Sequence, residues 1–155
     1  MSTIQNSGGH LTYPNLPIFY AGLNTTQSLT TSYVEQANVY DQVVINRGNH
    51  YNVTTGRFTA PCTGFYEFGI ASVGGQQADT YRWRFYKNGV YAGYEYRVRT
   101  VGLDHYAATN AEYVIQISLA ANDYVSIYAV SDGGNDAYGD TTSIYYSYFR
   151  GRLIG

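Results

Sequence analysis

The stretch from Tyr40 to Ile70 reads YDQVVINRGNHYNVTTGRFTAPCTGFYEFGI, and its pattern decides the fold class. Runs rich in β-branched and aromatic residues, such as 43–45 and 65–70, alternate with segments that contain Gly, Asn or Pro. β-Branched and aromatic side chains fit the pleated surface of a strand, whereas Gly and Asn tolerate the positive φ angles of tight turns. No helical period persists over about ten residues anywhere in the chain. The sequence therefore predicts an all-β protein.

The same alternation of strand-forming segments and turns extends from this stretch in both directions. The 155 residues include 19 Tyr and 17 Gly, a composition that favours strands joined by tight turns. Residues 1–16 are polar and interrupted by Gly and Pro, so we expect a tail or linker before one domain over residues 17–155. The expected strands are 18–23, 39–45, 65–73, 81–87, 90–101, 112–119, 124–130 and 144–154.

The segment Lys87-Asn88-Gly89-Val90 predicts a β-hairpin, because Asn-Gly readily adopts the two positive φ angles of a type I′ turn. A two-residue loop pairs Lys87 with Val90 and fixes the register of both strands. The next expected pairs are Arg82 with Glu95, Trp83 with Tyr94, and Phe85 with Ala92. We expect the face that carries Trp83 to point into the core. The opposite face then carries one acidic residue among four arginines: Glu95, Arg82, Arg84, Arg97 and Arg99.

Charge and composition exclude several classes of protein. Charged residues make up 13% of the chain and the net charge is -2, without a basic run that could neutralise a track of phosphates. We therefore expect no nucleic-acid partner. No apolar stretch approaches the roughly 18 residues of a spanning helix, so we expect no membrane insertion. The single cysteine, Cys62, excludes an internal disulfide framework.

The sequence shows no catalytic motif. His10, His50 and His105 are scattered, and no zinc-protease, serine-hydrolase or phosphate-loop motif occurs. Cys62 follows Pro61 in a turn where no oriented base is evident. We therefore expect neither enzymatic activity nor a cofactor.

Eight residues of the opening stretch follow the spacing Y-x5-N-x4-Y-x6-F-x5-G-x-Y-x-F-x-I. They are Tyr40, Asn46, Tyr51, Phe58, Gly64, Tyr66, Phe68 and Ile70. This spacing closely resembles the signature of the complement C1q globular-head family, which is part of the tumour-necrosis-factor-like jelly rolls. Further matches follow in order: FTAP at 58–61, KNG at 87–89, L-x-x-N-D-x-V at 119–125 and F-x-G-x-L-I at 149–154. Asn122 replaces the Gly of a Gly-Asp turn, and because Asn tolerates the left-handed region we expect a tight turn at 121–123.

The resemblance implies a ten-stranded, two-sheet jelly-roll sandwich that assembles as a homotrimer. The last expected strand agrees with such an assembly, because its alternation puts Phe149, Gly151 and Leu153 on one face. If these residues fill the sandwich, the opposite face needs another cover. An alternative leaves its tyrosines as ordinary exposed residues. The candidate residues of the trimer interface are Ile144, Tyr146, Tyr148 and Arg150.

Four segments are most similar to the family's versions in bacteriophage virion proteins, especially tail fibres: PIFYA at 17–21, FTAP at 58–61, YRW at 81–83 and FRGRLIG at 149–155. This similarity implies a non-enzymatic receptor-binding tip of a tail fibre or other virion appendage. Its partner would be a bacterial surface glycan or protein, and its location the virion or otherwise extracellular. The alternatives are a structural virion decoration or trimerisation cap, and a soluble C1q-type lectin.

The first group of candidate binding residues lies in the segment DGGNDAYGD at 132–140. Asp132, Asp136 and Asp140 offer the hard oxygen ligands that calcium prefers. The same carboxylates could accept hydrogen bonds from sugar hydroxyls while Tyr138 stacks on a pyranose ring. Asp and Gly are also typical of any solvated loop, so an ordinary flexible loop is the alternative.

The second group consists of Arg82 and Arg84 on the outer face of the predicted hairpin. Their guanidinium groups could contact an anionic glycan of a cell surface. A solvated sheet face with no ligand is the alternative.

Overall fold

The computed structural model describes residues 5–7, 10–12, 16–74, 78–100, 112–139 and 146–155. Within these ranges the chain forms strands and turns. The described residues contain no helix that could cross a membrane. The strands in chain order are β1 (Gln5–Ser7), β2 (His10–Thr12), β3 (Ile18–Gly22), β4 (Gln27–Ser28), β5 (Val34–Glu35), β6 (Gln42–Arg47), β7 (Tyr51–Asn52), β8 (Arg57–Thr59), β9 (Gly64–Ala71), β10 (Val73–Gly74), β11 (Thr80–Lys87), β12 (Val90–Arg99), β13 (Tyr113–Leu119), β14 (Tyr124–Ser131), β15 (Asp136–Tyr138) and β16 (Tyr148–Leu153).

Ten of these strands form two five-stranded antiparallel sheets. The first sheet has the strand order β13-β9-β16-β3-β6, and the second has the order β12-β11-β14-β8-β7. β5 pairs with β14 beyond the end of β8 and extends the second sheet. The chain crosses between the sheets after β6, β8, β9, β12, β13 and β14, which is the connectivity of a jelly roll. The prediction of a ten-stranded, two-sheet jelly-roll sandwich is confirmed.

The eight expected strands correspond to β3, β6, β9, β11, β12, β13, β14 and β16. The pattern does not reveal β7 and β8, because strands of two or three residues are too short to show an alternation. Within the expected N-terminal tail, β1 and β2 pair with each other as a small antiparallel sheet. That segment therefore contains regular structure that its polar composition does not predict.

Aromatic rings fill the space between the two sheets. Phe19 on β3 lies at their centre, where its ring stacks on Tyr51 and Phe58 at centroid distances of 4.5 and 5.2 Å. Phe149 on β16 meets the Phe19 ring edge-on at 4.8 Å. Such pairs add about 0.5–1.5 kcal/mol each to the free energy gained by burying the rings. The signature residues that lie in this core are Tyr40, Tyr51, Phe58, Tyr66, Phe68 and Ile70.

Asn46, the polar residue of the signature, holds the turn between β6 and β7. Its Nδ2 donates a hydrogen bond to the Tyr51 carbonyl oxygen at 2.7 Å, and its Oδ1 accepts one from the Tyr51 N–H at 3.1 Å. The Tyr51 hydroxyl in turn donates to the Tyr40 carbonyl oxygen at 3.0 Å. These bonds satisfy backbone groups that no neighbouring strand reaches. The Asn and the two Tyr of the signature therefore act as one unit that ties the turn to the core.

The β11–β12 hairpin has a different register from the predicted one. Lys87 pairs with Val90, as the Asn-Gly turn requires, but after the next pair the register shifts and Arg84 pairs with Glu95. β12 thus contributes two more residues than β11 to this stretch, and Gly93 within it has a φ of 87°. Glycine adopts this left-handed conformation without strain, so Gly93 permits the bulge.

The predicted pairs of Arg82 with Glu95 and of Trp83 with Tyr94 are therefore wrong by two residues. Arg82 lies opposite Arg97 and Trp83 lies opposite Tyr96, while the bulge removes Phe85 from its expected position opposite Ala92. Because the shift is even, each side chain keeps its predicted face. Trp83 is 1% exposed, which confirms that its face is the core face.

The last strand is shorter than expected, since β16 begins at Tyr148. Phe149 and Gly151 point into the core, and Tyr148 and Arg150 alternate with them on the outer face, as predicted. Tyr146 precedes the strand, so strand alternation does not place it on that face. Ile144 lies outside the described residues.

The aspartate-rich segment is not entirely the solvated loop that its composition suggests. Its residues 136–138 form β15, which pairs with β4 on one side and β10 on the other. Ala137 in this strand is buried.

The predicted tight turn at 121–123 connects β13 in the first sheet with β14 in the second. Asn122 in this turn has a φ of 71°.

Candidate functional site

The outer side of the first sheet, called the open face below, is rich in apolar side chains. Tyr20 and Tyr148 stack on it with ring centroids 4.8 Å apart. Beside them, Ile18, Val44 and Ile45 line an apolar depression of about 250 Å³ that Arg150 and Arg152 border. The other outward-facing apolar residues, Phe65 on β9 and Val114 on β13, are exposed.

Arg150 is the centre of an ion-pair network on the open face. Its guanidinium group donates to Glu67 at 3.0 Å and to Glu112 at 2.9 Å, and Arg152 also pairs with Glu67 at 3.1 Å. The hydrogen bond from Arg150 is the main reason that the pKa of Glu67 lies below its ordinary value. Two arginines thus face two carboxylates. Another surface could cover this network without leaving an unpaired charge.

The outer side of the second sheet, called the tyrosine–arginine face below, is built from rows of residues that lie opposite one another on neighbouring strands. The first row is Glu35, Tyr128, Arg84 and Glu95. The second row is Arg57, Ser126, Tyr86 and Tyr91. The third row is Val130, Arg82 and Arg97, and Arg99 follows it on β12 opposite Thr80.

Close ring contacts hold the side chains of the tyrosine–arginine face in place. Tyr86 stacks on Tyr128 with centroids 3.8 Å apart. The Arg84 guanidinium carbon lies 3.9 Å from the centroid of Tyr33 and 4.7 Å from that of Tyr91. Cation–π contacts of this kind contribute about 0.5–1 kcal/mol at exposed sites. They also restrict the rotamers of the arginine, so the face is largely preorganised.

Glu95 is the main hydrogen-bond acceptor of this face. It accepts from the Tyr33 hydroxyl at 2.8 Å, from Arg84 at 2.7 Å and from Arg97 at 2.8 Å. Burial by itself would raise the pKa of Glu95, but these three hydrogen bonds outweigh it and lower the pKa to about 2. Burial and the bond to Glu95 raise the pKa of Tyr33 to about 12. Glu95 therefore stays ionised at neutral pH.

A second carboxylate, Glu35, pairs with Arg57 through two parallel hydrogen bonds of 2.7 and 2.8 Å. The bond from Arg57 is the main reason that the pKa of Glu35 is lowered. The Arg57 guanidinium carbon also lies 4.4 Å from the ring centroid of Tyr124. Arg57 and Arg84 thus share one arrangement, in which the arginine is both paired with a carboxylate and stacked on a tyrosine.

A buried carboxylate holds the turn next to Arg82. Asp79 accepts hydrogen bonds from the Ser131 hydroxyl, from the Gly133 N–H at 3.0 Å and from Asn135 Nδ2 at 3.0 Å. Burial opposes the ionisation of Asp79, but these bonds outweigh it and its pKa is lowered. The turn that Asp79 organises presents Asp132, which pairs with Arg82 at 2.7 Å.

The structure brings some of the predicted binding residues together and separates others. Arg82 and Asp132 form one ion pair. Asp136 accepts a hydrogen bond from the Ser28 hydroxyl at 2.6 Å instead, and Tyr138 meets the Tyr146 ring edge-on at 5.6 Å. Asp140 lies outside the described residues. In the part of the chain that the structure describes, no three His, Cys, Asp or Glu side chains gather into a metal-sized group, and calcium binding stays a prediction.

Cys62 and His50 have separate surroundings. The exposed Cys62 has its Sγ 3.5 Å from the Tyr66 hydroxyl, which donates its own bond to the Cys62 carbonyl oxygen. The His50 ring packs edge-on against Phe58 at a centroid distance of 6.3 Å. His105 lies outside the described residues. The contacts of Cys62 and His50 fit packing roles.

The predicted hairpin accounts for Glu95 and four arginines of the tyrosine–arginine face, but the residues that β5, β8 and β14 contribute to it are not predicted. The alternation of Tyr124, Ser126 and Tyr128 is a signal for an outward row on β14. Glu35 and Arg57, by contrast, come from strands of two and three residues that show no period. Only the sheet order brings them beside Tyr128 and Tyr124.

Comparisons with known proteins agree with this architecture. Residues 18–154 match the sequence model of the C1q domain. Among solved structures, the globular domain of zebrafish complement 1qA protein has a TM-score of 0.55 at 16% identity and covers 90% of this chain and 98% of its own. Murine APRIL at pH 8.5 has a TM-score of 0.59 at 12% identity, with coverage of 90% and 99%. The Eiger TNF of S. frugiperda has a TM-score of 0.56 at 12% identity, with coverage of 91% and 94%. No curated protein sequence matches the chain. At such identities the structural similarity establishes the fold alone.

Proposed function

The chain belongs to the C1q domain family, and from this we propose that it is a non-enzymatic recognition module that works as a homotrimer. Domains of this type are generally trimeric binding modules. The observation that carries the proposal is the open face, where an apolar depression and exposed apolar side chains surround a charge-balanced network. Exposed apolar side chains gathered on one face commonly mark an interaction surface. A second copy of the chain is the proposed cover.

The composition of the open face supports this cover. Tyr20, Tyr148 and the residues around the depression supply the apolar area that an obligate interface buries. Arg150 lies among them, but Glu67 and Glu112 already pair with it. Burial of the face in a trimer therefore leaves no isolated charge, which would otherwise cost several kcal/mol. Of the interface residues predicted from the sequence, Tyr148 and Arg150 fit this role.

We assign the trimer to a virion appendage, such as the tip of a phage tail fibre. Four segments whose sequences resemble virion proteins support this assignment, and they include the β3 residues 18–21 and the β16 residues 149–153. The partner is a bacterial surface glycan or protein, and the module works outside the cell. Three copies on one axis raise the apparent affinity by avidity without any new contact, provided that receptors lie within reach. The candidate contact residues are Arg82, Arg84, Asp132, Asp136, Tyr138 and Asp140.

The assembly is tested with two matched valine substitutions. Val44 borders the apolar depression and is 56% exposed, whereas Val34 lies on β5 of the second sheet and is 48% exposed. Wild type and Val34→Glu should elute as trimers of three 17.3 kDa chains, about 52 kDa, in light scattering. Val44→Glu should be monomeric, because it places three like charges in a desolvated contact. A wild-type monomer at micromolar concentration would overturn the proposed assembly.

The recognition role is tested by binding of labelled protein to a panel of bacterial strains. Trimeric wild type should bind one or more strains about a hundredfold more tightly than Val44→Glu, because multivalency supplies gains of this order. Val34→Glu should bind like wild type. Robust trimers that bind no strain and no glycan would contradict recognition and support a structural decoration instead.

A further inference from the structure

The tyrosine–arginine face carries an excess of positive charge on a chain whose net charge is -2. Its outward-facing carboxylates are Glu35, Glu95 and Asp132. Its outward-facing arginines are Arg57, Arg82, Arg84, Arg97 and Arg99. Since the chain has only nine basic residues, more than half of them lie on this one face. The face is therefore complementary to an anion.

The positive charge is concentrated at one end of the face. Arg82 and Arg97 lie directly opposite each other on β11 and β12, an arrangement that destabilises a sheet when the charges are alike. Arg97 is 61% exposed, and its partner Glu95 is shared with Arg84. Arg99 follows on the same strand. Asp132 pairs with Arg82, and Glu95 is shared by Arg84 and Arg97. Two carboxylates thus face the four arginines of β11 and β12, and an anionic ligand would neutralise the excess positive charge.

The other end of the face is aromatic. Tyr91 is 40% exposed, and its ring centroid lies 5.9 Å from that of Tyr86, which in turn stacks on Tyr128. Because these rings are already held in place, a ligand that stacks on them loses little side-chain entropy on binding. Tyrosine offers an apolar ring and a polar hydroxyl, which suits the apolar face and the hydroxyl groups of a pyranose.

The spacing of the two ends sets the size of the ligand. Tyr86 and Arg82 are four residues apart on β11, and a strand rises about 3.3 Å per residue, so the two side chains lie about 13 Å apart. A single sugar ring cannot reach both. An extended chain of several sugars can contact the rings and the guanidinium groups together.

We infer that the tyrosine–arginine face binds an anionic polysaccharide, with its acidic groups on Arg82, Arg97 and Arg99 and its sugar rings on Tyr86 and Tyr91. This inference rests on the proposed function, because it names the class of ligand that the recognition module takes. The guanidinium groups provide the attraction, and the rings distinguish a sugar chain from other polyanions.

The test measures the affinity of the protein for three soluble probes by calorimetry: polygalacturonate, neutral dextran and polyglutamate. Polygalacturonate should bind, more weakly at higher salt because the contacts are electrostatic. The double substitution Arg97→Gln with Arg99→Gln should weaken binding about tenfold, and Tyr91→Ala about fivefold. Arg47→Gln, which removes one exposed arginine from β6 of the first sheet, is the control for loss of positive charge away from this face and should bind like wild type.

Each alternative result has a definite meaning. Equal affinity of wild type and the double variant for polygalacturonate would overturn the inference. If polyglutamate binds as tightly as polygalacturonate, the face binds polyanions in general and does not recognise sugars. If neutral dextran binds as tightly as polygalacturonate, charge plays no part in binding. Short galacturonate oligomers that contact the tyrosine–arginine face of a single subunit should bind the monomeric Val44→Glu variant and trimeric wild type with equal affinity. Loss of the trimer and loss of this binding site are therefore distinguishable.

Discussion

Gly151 on β16 lies so close to the Phe68 ring on β9 that a β-carbon at residue 151 would be 2.4 Å from Phe68 Cδ1. The same β-carbon would lie 2.6 Å from Phe19 Cε1. Both rings are fully buried, so neither can move aside freely. Glycine at this position is therefore the condition under which β16 packs against the aromatic centre of the core.

We predict that Gly151→Ala lowers the free energy of unfolding by about 1–3 kcal/mol, the usual cost of overpacking a core. Chemical denaturation monitored by Trp83 fluorescence measures the change. Gly155→Ala serves as control, because a β-carbon at residue 155 meets no atom within 4 Å. Equal midpoints for the two variants would show that the rings can repack around the methyl group.

Asp79→Asn should destabilise the protein by about 2 kcal/mol, since an amide replaces a buried carboxylate that accepts several hydrogen bonds. The turn that carries Asp132 should exchange its amide hydrogens faster, because Gly133 and Asn135 lose their charged acceptor. Hydrogen exchange and thermal unfolding measure the two effects. The exposed Asp41→Asn is the control. Unchanged protection of residues 131–135 would contradict the proposed role of Asp79.

Glu95 makes the stability of the folded protein depend on pH. Its pKa is about 2 in the folded protein, below the ordinary value of 4.5. A carboxyl group with a lowered pKa contributes stability that is present above the unfolded pKa and is lost as the pH falls towards the folded one. We predict that Glu95→Gln is less stable than wild type at pH 7, and that the difference shrinks between pH 4.5 and pH 2. Urea unfolding curves at several pH values measure this, and a difference that stays constant across the window would show that Glu95 is not the titrating group.

Local sequence was sufficient for the fold class and for most of the core. The eight residues with signature spacing and the alternation along β11 and β16 predict which side chains face inward, and Trp83, Phe149 and Gly151 lie where the alternation puts them. The reason is that successive side chains of a strand point to opposite faces of the sheet, so the pattern is visible in consecutive residues. The Asn-Gly turn likewise determines its nearest pair, Lys87 with Val90, because the turn conformation is a property of the two residues themselves.

Only the tertiary structure decided the register beyond Gly93 and which residues of different strands meet on the two outer faces. A bulge of two extra residues preserves the alternation, so no pattern along β12 reveals that Arg82 faces Arg97. Glu35 and Arg57 reach the tyrosine–arginine face from strands too short to show a period, and they meet there because β5 and β8 both pair with β14. Side-chain direction is a local property of the backbone, whereas the neighbour across the sheet is set by strand order over long separations in the chain.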